Sequence, residues 1–253
     1  MREFRVIPIL LLSGNGFVKT VNFKKPVYLG DSLNIIKLLN NKEVDEIVIF
    51  NIIRDREKSL NFSKLSEIAS ECFVPLSYGG GIDSLDNASK IFESGFEKVI
   101  LNTNALKKNL LKDISNKYGS SSTVACVDIK KNFFRSDSIY IKNGNKRVGS
   151  DILDYVLKLQ DNGAGEIILQ SIDRDGTYKG YDLDLIELIS SKLEIPLVAA
   201  GGASNLQDFK SAINSGASAV AAGSLFSFKG RHRAVLINYP TRNKLIKELY
   251  ETK

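Results

Sequence analysis

Two aspartates that follow short apolar runs are the residues of this sequence best placed to do chemistry. Asp128 directly follows the run Val124–Val127, and Asp175 lies in a polar cluster after the run Ile167–Leu169. A short apolar run that leads into a polar loop is typical of a buried parallel strand with functional residues at its carboxyl end. We therefore predict catalysis or substrate binding for Asp128, in preference to a structural carboxylate bonded to loop amides.

The cluster around Asp175 leaves two interpretations open. Asp175, Gly176 and Thr177 either cap their loop or bind substrate hydroxyls and phosphate. An upstream segment repeats the pattern, because Asp55 matches Asp175 and lies 120 positions before it. We interpret Asp55 as a loop residue or an ion-pair partner.

Two sets of glycine-rich strand ends have the composition of phosphate sites. Glycine lets a phosphate approach the backbone closely, and N–H groups at the start of a helix favour an anion. A lone pair of glycines is more often only a turn, but two related pairs beside polar strand ends predict a substrate with a phosphate at each end. The sets are Gly80 and Gly81 with Asn102 and Thr103, and Gly201 and Gly202 with Gly223 and Ser224.

Eight apolar runs alternate with helical stretches and would position these strand ends. The predicted strands are Arg5–Leu11, Glu46–Asn51, Val74–Tyr78, Val99–Leu101, Thr123–Asp128, Glu166–Ser171, Pro196–Ala200 and Ala217–Ala222. The predicted helices include Ser32–Leu39, Phe62–Glu71, Asp83–Glu93, Leu153–Gln160, Leu183–Lys192, Leu206–Asn214 and Asn243–Leu249. This order predicts an α/β fold, the (βα)8 TIM barrel, with the chemistry at the carboxyl ends of the strands. Ser13–Gly16 and Asn132–Arg147 are predicted to be loops after the first and fifth strands.

The two halves of the chain repeat each other. Gly80 and Gly81 lie 121 positions before Gly201 and Gly202, and Leu11 lies 117 positions before Asp128. We therefore predict a single domain over residues 1–253, built from half-barrels of about 1–121 and 122–253, since each half alone leaves sheet edges that the other covers.

Composition narrows the classes of function. The net charge of +6 is spread over scattered lysines without a basic, aromatic stripe, so we expect no nucleic acid partner. No apolar run reaches transmembrane length, and the charged residues near the N-terminus argue against a signal peptide, so we expect a cytoplasmic protein without membrane contact. Cys72 and Cys126 are interpreted as reduced core residues and His232 as a surface residue. Neither a metal site nor a cofactor is expected.

Five motifs of the chain together resemble the HisF family, the cyclase subunits of imidazole glycerol phosphate synthase. They are Arg5–Pro8, Val18–Phe23, Tyr78–Ile82, Ser171–Thr177 and Ala200–Ala203. The sister isomerase of histidine biosynthesis resembles the chain less well. The resemblance implies a TIM barrel that takes ammonia from a HisH-type glutaminase, and a ribulosyl nucleotide substrate with two phosphates.

The resemblance also implies roles for individual residues. Of the two catalytic aspartates of the family, the one that ends the fifth strand is Asp128, whereas Leu11 replaces the one that ends the first. Asn51 replaces an aspartate after the second strand, and Ser13 stands where HisF usually has lysine. Lys19 is retained. The implied binding residues are Lys19, Gly80, Gly81, Asn102, Thr103, Asp175, Gly176, Thr177, Gly201, Gly202, Gly223 and Ser224.

Four charged residues open strands at the opposite end of the predicted barrel. They are Arg5, Glu46, Lys98 and Glu166. Taken alone, they could be surface charges that flank strands. In HisF proteins the matching residues form a salt-bridged ring, the gate through which ammonia enters the barrel.

The tail Phe226–Pro240 resembles a HisF-like branch that serves the formation of sugar acetamidino groups in bacterial surface polysaccharides, beside a glutaminase and a sugar amidotransferase. Two functions therefore compete: an ammonia-handling subunit for sugar amidation, or a working cyclase. Leu11 and Asn51 favour the first; Asp128 and the phosphate sites favour the second.

Overall fold

Eight parallel strands close into a barrel in the computed structural model, which describes residues 4–53, 60–107, 109–133 and 136–250. The barrel strands are β1 (Arg5–Ser13), β4 (Ile47–Asn51), β5 (Leu76–Gly79), β6 (Lys98–Leu101), β7 (Thr123–Lys131), β10 (Glu166–Ser171), β11 (Leu197–Ala200) and β12 (Ala219–Ala222). Each pairs with the next in this order, and β12 pairs with β1 to complete the circle. The predicted TIM barrel is confirmed.

Helices connect consecutive barrel strands. They are α1 (Ser32–Asn40), α2 (Phe62–Ser70), α3 (Leu85–Glu93), α4 (Leu110–Tyr118), α5 (Ile152–Asp161), α6 (Leu183–Ser190) and α7 (Leu206–Asn214), with the short α8 (Ser224–Ser227) and α9 (Arg242–Leu245) after β12. Polar side chains fix several helix starts; Asn205 and Asp208 form a reciprocal capping box at α7. No helix of the described ranges is long and apolar enough to cross a membrane.

The strands bury both of their faces, so their side chains form two separate apolar layers. Along β1, Ile7 and Ile9 point into the barrel, whereas Val6 and Leu10 pack under the helices. This follows from the alternation of side chains along a strand. The inner layer contains Ile7, Ile9, Val48, Ile100, Val124, Cys126, Ile168, Val198, Ala200, Ala219 and Ala221. The barrel interior is therefore lined by small and branched apolar side chains.

Two hairpins extend the barrel at its carboxyl end, in segments where loops were predicted. Ser13 pairs with Gly16, and the chain continues through β2 (Gly16–Val21) into β3 (Lys24–Asp31). The segment predicted as a loop after the fifth strand forms β8 (Asp137–Ile141) and β9 (Lys146–Gly149). The prediction of one long loop over Asn132–Arg147 was wrong, and of Ser13–Gly16 only Gly14 and Asn15 form a turn. The hairpins are held by antiparallel pairing with β1 and β7, which the apolar pattern of a single segment does not show.

Gly165 fixes how closely the chain passes the turn before β7. A Cβ atom at this position would collide with the carbonyl oxygen of Ser120, and the Gly165 N–H donates to the carbonyl of Thr123 at 2.9 Å. Backbone atoms cannot move aside as a side chain can, so the position excludes even a methyl group. Gly165 thereby places Glu166, the first residue of β10.

We expect Gly165→Ala to lower the free energy of unfolding by about 1–3 kcal/mol, the usual cost of inserting a methylene into packed structure. Gly149→Ala is a matched control, because the nearest atom to a Cβ at Gly149, in the Ile139 side chain, is 3.7 Å away. Urea unfolding of both variants and the wild type measures the effect. Equal unfolding midpoints for the two variants would contradict the prediction.

Candidate functional site

The carboxyl ends of the barrel strands surround a cavity of about 410 Å³. It is lined by Asp128 and, of the predicted binding residues, by Lys19, Gly80, Gly81, Asn102, Thr103, Asp175, Gly176, Gly201, Gly202, Gly223 and Ser224. Thr177 is not part of the lining, because its hydroxyl turns away and donates to the Arg174 carbonyl at 2.7 Å. The closed barrel brings together residues that lie far apart in the sequence.

Asp128 is a buried carboxyl group at the floor of this cavity. Its Oδ1 lies 3.6 Å from the Cys126 Sγ, and the neighbouring Asn102 amide donates to the Cys126 carbonyl at 3.0 Å. Burial raises the pKa of Asp128 from 3.8 to about 7; the charge of Asp175 adds to the shift, and hydrogen bonds from Cys126 and Asn102 oppose it. A carboxyl with a pKa near neutrality can both accept and donate a proton.

Lys19 and Asp175 form an ion pair inside the cavity. The Lys19 Nζ lies 2.8 and 3.0 Å from the two carboxylate oxygens of Asp175, and it also donates to the Thr20 carbonyl. Both residues are buried. Because each charge has its partner, the pair is close to neutral as a unit and joins the β1–β2–β3 extension to the loop after β10.

At two positions where the family resemblance implies a carboxylate, this chain has Leu11 and Asn51. Leu11 lies in the cavity lining and cannot transfer a proton. The Asn51 side-chain amide donates to the Tyr78 hydroxyl at 3.1 Å, and its oxygen accepts from the Ile53 N–H at 3.0 Å. Next to it, Gly80 has a φ of 115° and leaves no room for a Cβ beside the Asn51 carbonyl. Asn51 therefore supports the backbone around one glycine-rich strand end.

Sequence analysis missed Thr20, which lines the cavity from β2. Its hydroxyl is buried and has no hydrogen-bond partner among the described residues. A buried polar group without a partner is costly unless a ligand or water satisfies it. Thr20 belongs to the motif Val18–Phe23, one of those that carry the family resemblance, and this was the available signal.

The four charged residues at the amino ends of the strands form a closed ring. The Arg5 guanidinium contacts both Glu46 and Glu166, and the Lys98 Nζ lies 3.2 Å from Glu46 and 3.0 Å from Glu166. Ser77 adds a hydrogen bond to Glu46 at 2.7 Å. The two carboxylates are buried, and each accepts from both cations, so the charges satisfy one another across the end of the barrel.

Of the other residues discussed in the sequence, Cys126 also lines the cavity. Asp55 lies outside the described residues. His232 is exposed on the tail. Cys72 and Cys126 are free thiols. Within the described ranges no group of three or more His, Cys, Asp and Glu side chains could hold a metal ion.

The pH dependence of the stability of Asp128→Asn tests whether the Asp128 carboxyl is protonated in the folded protein. Folded Asp128 keeps its proton up to about pH 7, whereas an ordinary aspartate releases it near pH 4, so the free energy of unfolding falls as the pH rises between these values. Asparagine does not ionise, so the free energy of unfolding of the Asn variant does not fall in this way. We expect it to melt above the wild type by a larger margin at about pH 8 than at about pH 5. Asp154→Asn, on the surface of α5, is the control; a margin independent of pH for Asp128→Asn would contradict the prediction.

Comparison with known proteins identifies the family. The model of the family described as "Histidine biosynthesis protein" matches residues 5–233. A protein of Pseudomonas aeruginosa named "Putative imidazole glycerol phosphate synthase subunit hisF2" is 47% identical over 244 residues, which are 95% of this chain and 97% of that protein. The imidazole glycerol phosphate synthase subunit HisF of Dictyoglomus turgidum is 37% identical over 226 residues, 88% of this chain and 90% of the relative.

The family match covers the barrel and the relatives match over nearly their whole length. These similarities agree with the five motifs and with the closed barrel of parallel strands. The chain belongs to the histidine biosynthesis protein family and, within it, to the HisF-type barrel proteins.

Proposed function

We propose that this chain is the barrel subunit of a glutamine amidotransferase system. It receives ammonia from a HisH-type glutaminase at the amino ends of its strands and passes it to the cavity at their carboxyl ends. There the ammonia serves the formation of a sugar acetamidino group in surface-polysaccharide biosynthesis, a reaction completed by a sugar amidotransferase. The closed ring of Arg5, Glu46, Lys98 and Glu166 is the observation that carries this proposal.

The ring is difficult to explain as a device for stability. Buried ion pairs lose much of their attraction to desolvation, and apolar side chains of similar size often serve stability equally well. Here two buried carboxylates and two cations occupy the end of an otherwise apolar barrel. Such a set closes the barrel to bulk water and opens when one ion pair breaks, which suits a gate.

The barrel interior above the ring suits a small neutral molecule. Its lining contains Ala200, Ala219 and Ala221 among branched aliphatic side chains, with Cys126 nearest to Asp128. Ammonia carries no charge in its reactive form, so an apolar passage imposes little desolvation on it and excludes ammonium, which would have to leave its hydration shell. The passage would deliver ammonia beside Asp128.

The cavity suits a phosphorylated ligand. Its two glycine-rich sides lie on opposite parts of the barrel, at the ends of β5 and β6 and of β11 and β12, and the Thr20 hydroxyl in its lining has no partner in the described residues. Backbone N–H groups that glycine leaves accessible are common phosphate donors. We propose phosphate and substrate binding for Lys19, Gly80, Gly81, Asn102, Thr103, Asp175, Gly176, Thr177, Gly201, Gly202, Gly223 and Ser224, with Thr177 acting through the turn that it closes.

Leu11 and Asn51 favour sugar amidation over cyclisation. A second carboxylate at the end of β1 would supply the partner for Asp128 in acid–base catalysis, and leucine supplies no proton transfer. The tail Phe226–Pro240, with its resemblance to the amidation branch, supports the same conclusion. A sugar amidotransferase would then act on the ammonia that this barrel carries.

The second candidate function is the cyclase reaction, in which ammonia and the ribulosyl aminoimidazole carboxamide nucleotide yield imidazole glycerol phosphate and the aminoimidazole carboxamide ribonucleotide AICAR. The pKa of about 7 for Asp128 favours it, since a lone carboxyl that exchanges its proton near neutrality can act as acid and base in turn. The phosphate-type strand ends are also those that a nucleotide with two phosphates requires.

Turnover with free ammonium distinguishes the two functions. We expect the wild type, given the histidine-pathway nucleotide and excess ammonium at alkaline pH, to turn over about 10²–10⁴-fold more slowly than an ordinary HisF, because one positioned proton-transfer group is missing. Leu11→Asp should recover part of that rate, and Leu11→Asn is the matched control without an ionisable group. Ordinary turnover of the wild type that Asp128→Asn abolishes would establish the cyclase instead.

Binding of the glutaminase is tested by two exposed phenylalanines at opposite ends of the barrel. Phe73, 82% exposed, precedes β5 at the amino end of the barrel, and its N–H donates to Asn40; Phe133, 94% exposed, follows β7 at the cavity end. We expect Phe73→Asp to weaken binding of a HisH-type glutaminase by roughly tenfold or more, as loss of an aromatic anchor does, and Phe133→Asp to leave it unchanged. Titration calorimetry measures both; the reverse result would place the glutaminase at the other end.

A further inference from the structure

Arg233 lies against the cavity wall although it comes from the tail. The tail forms a short hairpin of β13 (Phe228–Lys229) and β14 (Ala234–Val235) after α8. From the turn of this hairpin the Arg233 guanidinium reaches back, with its centre 4.7 Å from the Phe228 ring and 5.3 Å from the Tyr178 ring. Two aromatic faces thus hold a cation in a defined place.

The guanidinium also bonds to two residues of the cavity lining. Its Nη1 donates to the Gly176 carbonyl at 3.1 Å, and its Nη2 donates to the Ser224 Oγ at 3.5 Å. Tyr178 contacts the same place through its hydroxyl, which lies 3.2 Å from the Ser224 carbonyl. Arg233 therefore stands at the edge of the glycine-rich set that contains Gly201, Gly202, Gly223 and Ser224.

The charge of Arg233 lacks a carboxylate partner within the described ranges, where the groups that it contacts are a carbonyl, a hydroxyl and two rings. Lys19, the cation inside the cavity, is neutralised by Asp175. Arg233 thus has a charge that remains to meet an anion at this side of the cavity. A guanidinium has five N–H donors in a planar fork that matches the oxygens of a phosphate.

The backbone is held in an unusual conformation on both sides of this contact. Tyr178 has a φ of 60° and Arg233 a φ of 51°, in the left-handed region that large side chains rarely adopt. Such conformations persist where surrounding contacts hold them, and they concentrate at binding sites. Here they bring an aromatic ring and a guanidinium together beside the cavity.

We propose that Arg233 is a binding residue for a phosphate group of the ligand, at the side of the cavity formed by Gly176, Gly201, Gly202 and Ser224. The hairpin of the tail supplies this cation from outside the eight barrel units. The inference rests on the proposed function in one respect, that the cavity takes a phosphorylated small molecule. It adds the residue that supplies the charge at one of the two phosphate positions.

A site-resolved titration tests this assignment. Glycerol 3-phosphate is added to the isotope-labelled chain, and the backbone amide signals of Gly176 and Ser224 report on one side of the cavity while those of Gly81 and Thr103 report on the other. Glycerol is the probe without phosphate. Arg233→Met retains an unbranched apolar side chain against the two rings but removes the charge, and Arg233→Lys retains the charge without the fork. Arg231→Met removes the same charge from the exposed part of the hairpin turn.

We expect Arg233→Met to weaken phosphate binding at Gly176 and Ser224 by roughly tenfold or more, as expected for the loss of charge-assisted hydrogen bonds. Binding at Gly81 and Thr103 should be unchanged. Arg233→Lys should give an intermediate affinity, and Arg231→Met should match the wild type. The amide spectrum itself verifies that each variant is folded.

Two results would overturn the inference, and they differ in what else they affect. If the wild type binds glycerol 3-phosphate at Gly176 and Ser224 and Arg233→Met binds it equally well, Arg233 only holds the hairpin in place, and the proposed phosphate sites stand. If the wild type binds the phosphate at neither side, or binds glycerol equally well, the proposal of a phosphorylated ligand fails together with the role of Arg233.

Discussion

Parallel closure of the eight strands is the constraint on which the rest of the molecule depends. Because β12 pairs with β1 and every barrel strand runs in the same direction, all carboxyl ends meet at one face and all amino ends at the other. Residues as distant in sequence as Lys19 and Asp175 can therefore form an ion pair at one end, and Arg5 and Glu166 at the other. Closure of the barrel thus forms both the cavity and the ring of four charged residues.

The two ends treat buried charge in different ways. At the amino end, two carboxylates and two cations satisfy one another completely, and the result is a closed, electrostatically balanced ring. At the carboxyl end the balance is incomplete. Lys19 and Asp175 compensate each other, but among the described residues Asp128 has no cation partner and the Thr20 hydroxyl has no hydrogen-bond partner. Burial raises the pKa of Asp128. Buried polar and charged groups without partners are expected where a bound ligand supplies the missing hydrogen bonds or charges.

Leu11 and Asn51, the two positions at which the family resemblance implies a replaced carboxylate, both line the cavity. Leu11 belongs to the strand that pairs with β4 and to the lining of the cavity, and Asn51 supports the backbone beside Gly80. Leu11 and Asn51 therefore have structural roles, and neither side chain can transfer a proton as a carboxylate would. The tail adds what the eight units do not contain, a hairpin that reaches back to the cavity.

Much of this could be predicted from the sequence because local chemistry determined it. The alternation of apolar runs and helical stretches, and the glycines and aspartates at strand ends, follow from short-range rules, so the barrel and the polar strand ends that line the cavity were predictable. What only the tertiary structure decided depends on distance through space. The direction of the Thr177 hydroxyl, the pairing of Lys19 with Asp175, the buried Thr20 and the return of Arg233 to the cavity are set by packing between segments far apart in the chain. The hairpins after β1 and β7 were missed because they are held by antiparallel pairing with those strands, which depends on contacts between segments rather than on the pattern of one segment.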